Sequence, residues 1–328
     1  MGSLLLVWGG LLHHSGLAES CQSWPACPQL GFKEGFFIYG HRLLALIFFI
    51  SLFFLYKNLK KSWGAENSRT QAGLACFLLV GLQAVIGALT AVMELPPIVN
   101  TLHLFFTLIA LFALFGIHHF QSVQMEKSKT WNFATWPKHV VLLLIFFFFL
   151  EAILGAAVRH TGASEVCGLG RDFLFRCLDL VSGMRQWWPS TQLSQLNMLH
   201  RLLGAFLFVV SFLFMGFFLF YVSLKKYPDN PRFKLFFYAS SFLILIFLQV
   251  YSGFLTVFTK LEFLPQMLHL GVFLACLAFL SKIYFWLLSF ELSFFDRSRH
   301  SPFSDIVELA KPRLAALVMT TVLFGILL

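Results

Sequence analysis

The sequence predicts an all-α integral membrane protein with eight spanning helices in two tandem four-helix bundles, followed by a ninth apolar segment. Three observations support this prediction. The 328 residues are 59% hydrophobic and only 12% charged, with a mean hydropathy of +0.79, whereas soluble domains are about one quarter charged. The apolar runs are long enough to cross a bilayer as helices and lack the alternation of a transmembrane barrel. Blocks of the first half also recur, in the same order, in the second half.

Nine apolar runs define the predicted spans. In chain order they cover residues 1–14, 37–56, 72–93, 98–118, 139–158, 196–222, 233–257, 264–289 and 313–328. The net charge of +9 would suit a nucleic-acid partner, but the lysines and arginines concentrate in four alternating short loops. This pattern is typical of the cytoplasmic loops of a multi-pass protein, so we expect the lipid bilayer of the plasma membrane, and no nucleic acid, as the partner.

The first run is too short to cross a hydrocarbon layer of about 30 Å. One interpretation is a secretory signal, with small residues near Ala18. The repeat favours a second interpretation, because this run aligns with the end of the fifth run. We therefore expect the outer half of a spanning helix that lost its first half to a late start codon.

Three pairs of matching blocks indicate a duplicated four-helix unit. They are "LLHHSGLAESC" and "AVRHTGASEVC", "YGHRLLA" and "MLHRLLG", and "LQAVIGALTAVMELPPIVNTLHL" and "LQVYSGFLTVFTKLEFLPQMLHL". Each unit has an even number of helices, so both copies should face the same way, related by an axis along the membrane normal. We expect an N-terminal unit over 1–120, a C-terminal unit over 139–289, and a linker with the ninth segment over 290–328.

Four histidines occupy equivalent points of the two units: His41 and His103 in the first, His200 and His269 in the second. Each lies near the outer end of an even-numbered predicted helix, so the two histidines of a unit reach the same depth. Paired imidazoles can ligate a porphyrin iron from its two sides. We therefore predict two bis-histidine haem sites near the extracytoplasmic surface. A hydrogen-bonded interfacial side chain is the alternative for any one of them, although ionisable groups within spans are usually functional.

Polar residues near these histidines complete the predicted sites. Arg42 and Arg201 directly follow the first histidine of each unit, and each is a candidate partner for a haem propionate. Snorkelling at a helix end is the alternative for both.

Four cysteines fall in the two predicted outer loops: Cys21 and Cys27 in the first unit, Cys167 and Cys177 in the second. Disulfides persist on the extracytoplasmic side, so we expect one disulfide in each unit. A redox-active dithiol and covalent participation in haem handling remain the alternatives.

Together these features resemble haem A synthase over about residues 3–285. "CQSWPAC" is similar to that family's Cys-rich Trp-Pro loop and "RHTGAS" to the exit of its fifth helix. The resemblance implies an oxidoreductase that converts a methyl group of haem O to the formyl group of haem A, for cytochrome oxidase. It implies haem b at His200 and His269, substrate haem at His41 and His103, and an electron donor of unspecified identity. Oligomers are compatible with it. A non-catalytic dihaem b-type cytochrome, for electron transfer or haem carriage, is the alternative function.

One departure from the family bears on catalysis. The family has a glutamate three residues before the first histidine, where this chain has Ile38, and a hydrocarbon side chain cannot transfer protons. Glu34 and Glu151 are the candidate catalytic acids that could substitute. A solvated loop acid is the alternative for Glu34, and a protonated helix–helix hydrogen bond is the alternative for Glu151.

The tail "DIVELAKPRLAALVMTTVLFGILL" resembles the start of protohaem IX farnesyltransferase, the haem O synthase. The resemblance implies a partner enzyme fused in a longer natural chain. A single anchoring helix is the alternative.

Overall fold

The computed structural model describes residues 1–14, 17, 21, 27, 31–93, 96–122, 136–170, 176–179, 181–224 and 229–295. The elements of these residues are α1 (Gly2–His14), α2 (Phe32–Trp63), α3 (Ser68–Val92), α4 (Pro97–Ser122), α5 (Trp136–His160), α6 (Ala163–Val166), β1 (Cys177–Leu178), β2 (Arg185–Gln186), α7 (Gln192–Leu224), α8 (Asp229–Phe258) and α9 (Phe263–Phe295). The predicted all-α membrane fold is confirmed.

Seven helices of the described ranges are long and apolar enough to cross a membrane: α2, α3, α4, α5, α7, α8 and α9. They correspond to the second to eighth predicted spans. Helix α1 has 13 residues and extends over about 20 Å, which is less than the hydrocarbon layer, as its apolar run predicts. The predicted ninth segment, 313–328, lies outside the described residues.

Local sequence signals set several helix ends. The side chain of Asn67 accepts a hydrogen bond from the backbone N–H of Arg69 at 2.9 Å, which caps the start of α3. Helix α4 begins at Pro97, because proline is tolerated in the first turn, where no helical donor is lost. Helix α2 ends at Trp63 and is capped by Gly64, whose φ of +82° lies in the region that favours glycine.

The two halves of the chain have the same pattern of helix neighbours. In the first half α1 packs against α2 and α4, and α3 packs against α2 and α4. In the second half α5 packs against α7 and α9, and α8 packs against α7 and α9. The helices α2 and α4, like α7 and α9, therefore lie diagonally opposite each other. The duplication that the sequence blocks predict remains a prediction.

The halves meet along α4, which contacts α5 and α9, and along α1, which contacts α9. Helix α9 is the most deeply buried of the seven long helices and α2 the least. At the seam the ring of Phe285 packs on Gly116, and its centroid lies 4.9 Å from that of Phe112. Small residues let membrane helices approach closely, so this contact holds the halves together without polar groups.

Candidate functional site

The four histidines lie at corresponding places on α2, α4, α7 and α9, each within the first ten residues of its helix. These helices run in the same direction, because a returning helix separates each from the next. The described cysteine pairs lie in the segments before α2 and α7. All four imidazoles therefore lie toward the end of the bundle that carries the disulfides, which we call the disulfide end.

Each imidazole ring rests against a glycine of the long helix that precedes its own in the same half, namely α1, α3, α5 or α8. An ideal Cβ on that glycine would meet the ring's Cε1 first, at 3.1 to 3.5 Å. The four pairs are Gly9 with His41, Gly87 with His103, Gly155 with His200, and Gly253 with His269. The recurrence indicates a common way of seating the ring.

His200 has an acidic neighbour. Its Nδ1 lies 2.9 Å from Oε1 of Glu151, and both side chains are largely buried, 24% and 15% exposed. Glu151 lies one turn before Gly155 on α5, so one face of α5 presents both the carboxylate and the glycine to the ring. Gly204 leaves room for the carboxylate, since an ideal Cβ there would lie 2.9 Å from Glu151 Oε1.

His269 is surrounded by neutral polar groups of α8. Its Nδ1 lies 3.1 Å from the hydroxyl of Ser252 and 3.2 Å from the backbone oxygen of Gln249, and its Nε2 lies 3.3 Å from the Gln249 amide nitrogen. Because hydrogen-bond partners fix the tautomer and orientation of a ligating imidazole, these contacts can set the rotation of His269.

The corresponding groups near His103 are Gln83 and Thr107. The Thr107 hydroxyl donates to the backbone oxygen of His103 at 2.8 Å and lies 3.5 Å from Gln83 Oε1. The Nε2 of Gln83 is buried and has no hydrogen-bond partner among the described residues. A buried polar atom of this kind is unfavourable unless a ligand or water satisfies it.

The predicted disulfide Cys21–Cys27 is present, and side chains of α2 contact it. Tyr39 accepts a hydrogen bond from the backbone N–H of Cys27 at 2.7 Å and donates to its carbonyl oxygen at 3.1 Å. The guanidinium nitrogens of Arg42 lie 3.3 and 3.6 Å from the two sulfurs. Ile38 is buried in an apolar cluster with Leu12 and both cysteines. The residue at the family's glutamate position therefore packs under the disulfide.

Glu34, the first candidate acid, lies in the first turn of α2. Its carboxylate is folded back against Gly31, the residue that caps this helix. A carboxylate here interacts favourably with the N-terminal end of the helix dipole. The carboxylate of Glu34 thus contacts Gly31, and Glu34 lies two turns before His41 on α2. The carboxylate of Glu151 contacts His200, which lies in the C-terminal half.

The predicted disulfide Cys167–Cys177 is also present, and both cysteines are fully buried against Met198 of α7. The segment is fastened by a hydrogen bond from Leu178 N–H to the Cys167 oxygen at 3.0 Å, and by one from the Asn197 amide to the Ala163 oxygen at 2.6 Å. The described residues of this loop therefore form a folded cover packed on the first turns of α7.

Asp179 organises the far side of that cover. The hydroxyl of Ser190 donates to its carboxylate at 2.6 Å and that of Ser182 at 2.8 Å. These hydrogen bonds, with that of Ser190 the largest contribution, lower the pKa of the Asp179 carboxyl from 3.8 to about 2. The carboxylate is thus ionised at any physiological pH, and it ties the turn after β1 to the start of α7.

The donor set of each half fits a haem. Two imidazoles come from diagonally opposed helices, at the same end, among apolar side chains, with an arginine directly after the first histidine. Within the described part of the chain no cluster of three or more His, Cys, Asp or Glu side chains could hold a bare metal ion. An iron held by two imidazoles needs four further ligands, and the four nitrogens of a porphyrin would supply them.

A separate cavity of about 460 Å³ lies on the seam between the halves. It is lined by Ser3, Leu4, Val7, Phe115, Gly271, Leu274, Ala275 and Ala278. None of the four histidines lines it, so it is distinct from the histidine sites.

The sequence predicted both disulfides, which are confirmed, whereas the ligand role of the histidines and the catalytic role of the two acids remain predictions. The sequence analysis missed the contacts that orient the rings. The seating glycines, and Ser252 beside His269, were not among the predicted site residues. The repeat contains the signal: Gly9 and Gly155, like Gly87 and Gly253, occupy corresponding positions of the two halves. Arg201 is half-buried beside His200, and its predicted role at a propionate remains a prediction, as does that of Arg42.

Comparison with known proteins places the chain in a family. The family model described as COX15-CtaA, cytochrome oxidase assembly protein, matches residues 31–281. Two curated relatives, each named Heme A synthase, come from Staphylococcus aureus strains bovine RF122 / ET3-1 and MSSA476. Each is 24% identical over 283 residues, covering 82% of this chain and 86% of the relative. The match spans all four histidines, and the chain belongs to the COX15-CtaA family of cytochrome oxidase assembly proteins.

Proposed function

We propose that this chain is a haem A synthase-like membrane oxidoreductase that oxidises a methyl group of haem O to the formyl group of haem A. The observation that carries the proposal is the pair of diagonal histidine sites at the disulfide end, two imidazoles in each half. The named activity of the curated relatives supports it.

In this proposal the N-terminal half binds the substrate. His41 and His103 hold haem O between α2 and α4, and the apolar side chains of these helices exclude water from the porphyrin. Arg42, held near the disulfide sulfurs, places a positive charge next to His41, where a propionate can accept its hydrogen bonds. Tyr39 and Arg42 hold the Cys21–Cys27 disulfide against the same helix.

The C-terminal half holds haem b through His200 and His269. Haem b, when bound, supplies a one-electron path between the substrate site and an external electron donor. The chain's own part is to orient the two ligands: Glu151 contacts Nδ1 of His200, and Ser252 contacts Nδ1 of His269. Such outer contacts set ring orientation and ligand basicity.

We further propose that the disulfide end is extracytoplasmic and that the membrane is the plasma membrane. The basic residues support this orientation, because they concentrate in the loops of the opposite end: Lys57, Lys60 and Lys61 close α2, and further basic residues precede α5 and α8. Haem O synthase, suggested by the tail, would act on the preceding step.

A specific observation favours a second function, a dihaem b-type cytochrome that transfers electrons or carries haem without oxidising it. Ile38 is 4% exposed and packs in an apolar cluster, Glu34 contacts its own helix cap, and Glu151 lies in the other half. No carboxylate of the described α2 and α4 is thereby placed beside His41 or His103. This arrangement supports ligand binding more directly than proton transfer.

One experiment separates the two functions. The full chain is expressed with a source of haem O, purified, and its pigments are extracted. Haem A or its hydroxylated precursor is the expected product. Two b-type haems without either oxidised pigment would contradict the synthase and leave the cytochrome, whereas a protein without haem would contradict both.

A matched pair of variants tests the site on α4. His103→Ala should remove one haem. His118→Ala, at an exposed position of the opposite end of the same helix, should retain both.

A further inference from the structure

The contact between each histidine and a glycine recurs on four different helix pairs. The glycines lie on α1, α3, α5 and α8, and the rings come from α2, α4, α7 and α9. In every case Cε1 is the ring atom nearest to the position that a Cβ would take. At Gly9 the two ring nitrogens are equidistant from that position, at 3.9 Å. At Gly155 they are nearly so, at 3.6 and 3.7 Å, so these two rings point Cε1 at the helix backbone with one nitrogen on either side. His269 differs, because both of its nitrogens contact Gln249 or Ser252 of α8.

This orientation matters for ligation. A ring nitrogen that faces the iron must be held at a set depth and rotation, while the other nitrogen faces a protein partner. Contact of Cε1 with a bare helix backbone limits both the depth and the rotation of the ring. At Gly9, Gly155 and Gly253 a Cβ would lie 3.1 or 3.2 Å from Cε1, closer than ordinary van der Waals contact, so any larger residue would require the ring to move.

A second feature accompanies the glycine in three of the four pairs. The residue one helical turn earlier is polar: Gln83 before Gly87, Glu151 before Gly155, and Gln249 before Gly253. Two of these side chains contact ring nitrogens, Glu151 at 2.9 Å and Gln249 at 3.3 Å. Side chains four residues apart lie on one helix face, so a single face seats the ring and meets its nitrogen. In the first pair the corresponding residue is Leu5.

We propose that Gly9, Gly87, Gly155 and Gly253 are positioning residues that set the orientation of the four haem-ligating imidazoles. This inference rests on the proposed haem ligation, and it adds which residues of the neighbouring helices determine the ligand geometry. It also predicts a grouping: Gly155 and Gly253 act on one haem, and Gly9 and Gly87 on the other.

The contact distances predict graded effects. An alanine methyl would lie 3.1 Å from Cε1 at Gly155 and 3.2 Å at Gly9 and Gly253, so the ring must move by a few tenths of an ångström. At Gly87 the distance is 3.5 Å, ordinary van der Waals contact. Gly87→Ala should therefore have little effect, whereas Gly87→Val, with methyl groups beyond Cβ, should displace the ring.

The test measures the electron paramagnetic resonance spectrum of the ferric full-length protein, because the low-spin signal of a bis-histidine haem depends on the angle between its imidazole planes. Gly155→Ala and Gly253→Ala should shift one low-spin signal and leave the other, and Gly9→Ala should show the reverse. His200→Ala, which should abolish the signal of the C-terminal haem, assigns the two signals. The haem content of each variant is measured alongside.

Two glycines of the ligand-bearing helices supply matched controls. Among the described residues, no neighbouring atom lies within 4 Å of an ideal Cβ on Gly216 of α7 or Gly271 of α9. Alanine there therefore changes helix propensity without touching an imidazole ring. Both controls should retain both signals. If Gly155→Ala, Gly253→Ala and Gly9→Ala match the controls while the wild-type protein binds two haems, the positioning role is overturned and the proposed function stands. A wild-type protein without low-spin haem would overturn both.

Discussion

Replacing Ile38 with glutamate tests whether the missing family carboxylate limits catalysis. The side chain lies three residues before His41 and four before Arg42, so a glutamate there shares a helix face with both. Arg42 already lies next to the disulfide that Ile38 packs against. The substitution therefore restores a carboxylate beside the first histidine and gives it a positively charged neighbour one turn away.

The structure sets the expected loss of stability. Ile38 is 4% exposed, and burial of an isoleucine side chain stabilises by about 1.5–3 kcal/mol. A glutamate at this buried position also loses its hydration, a cost that pairing with Arg42 offsets only in part. The free energy of unfolding should therefore fall by about 2 kcal/mol or more, which thermal unfolding in detergent can measure.

The assay compares the haem A content of extracted pigments for the wild type, Ile38→Glu and Ile38→Gln. Glutamine loses the same apolar burial and has nearly the same shape, but it cannot exchange a proton with the substrate. We expect more haem A, per haem bound, from Ile38→Glu than from the other two. Equal yields from the glutamate and glutamine variants would refute the reasoning that position 38 lacks a proton-transferring group.

Three further outcomes are expected. His200→Ala should abolish one low-spin haem signal, whereas His139→Ala, at an exposed position of the far end of α5, should retain both. Alkylation without reductant should label neither Cys21 nor Cys167, and prior reduction should expose both to the reagent. Asp179 has a folded-state pKa lowered to about 2, so its stabilising contribution is present above pH 3.8 and is lost as the pH falls through about 2; Asp179→Asn should remove this acid dependence of the unfolding free energy.

Each of these outcomes has a contrary result. An unchanged spectrum of His200→Ala would contradict its role as a ligand. Labelling of Cys21 or Cys167 before reduction would contradict the disulfides. An Asp179→Asn protein with the same acid unfolding profile as the wild type would contradict the lowered pKa of that carboxyl.

Most of the helical architecture could be predicted because bilayer thickness imposes a minimum length on each apolar run. The predicted run 72–93 corresponds to α3 at Ser68–Val92, and 139–158 corresponds to α5 at Trp136–His160. The helices extend beyond the apolar runs at their ends, because polar capping residues and prolines belong to the helix without being apolar. The disulfide pairing was also predictable, since the segments before α2 and α7 each contain one pair of cysteines that are near in sequence.

The internal contacts of the site could not be predicted in the same way. A carboxylate at Glu151 was compatible with catalysis or with a helix–helix hydrogen bond, and only the rotation of α5 against α7 places it at His200 Nδ1. Likewise, Ile38 was recognised as a departure from the family pattern, but its packing beneath the Cys21–Cys27 disulfide depends on where the tertiary fold places the two cysteines against α2.

The sequence by itself determined the fold class, the long apolar helices and their alternating direction, and thereby the shared end of the bundle at which the four histidines lie, because hydrophobic length and chain order dictate them. The tertiary structure decided which face of each helix meets its neighbour. Spanning helices are apolar on all sides, so polarity does not specify their rotation, and close packing at small residues does. Gly155 under His200 and Gly253 under His269 are the contacts where that packing sets the ligand geometry.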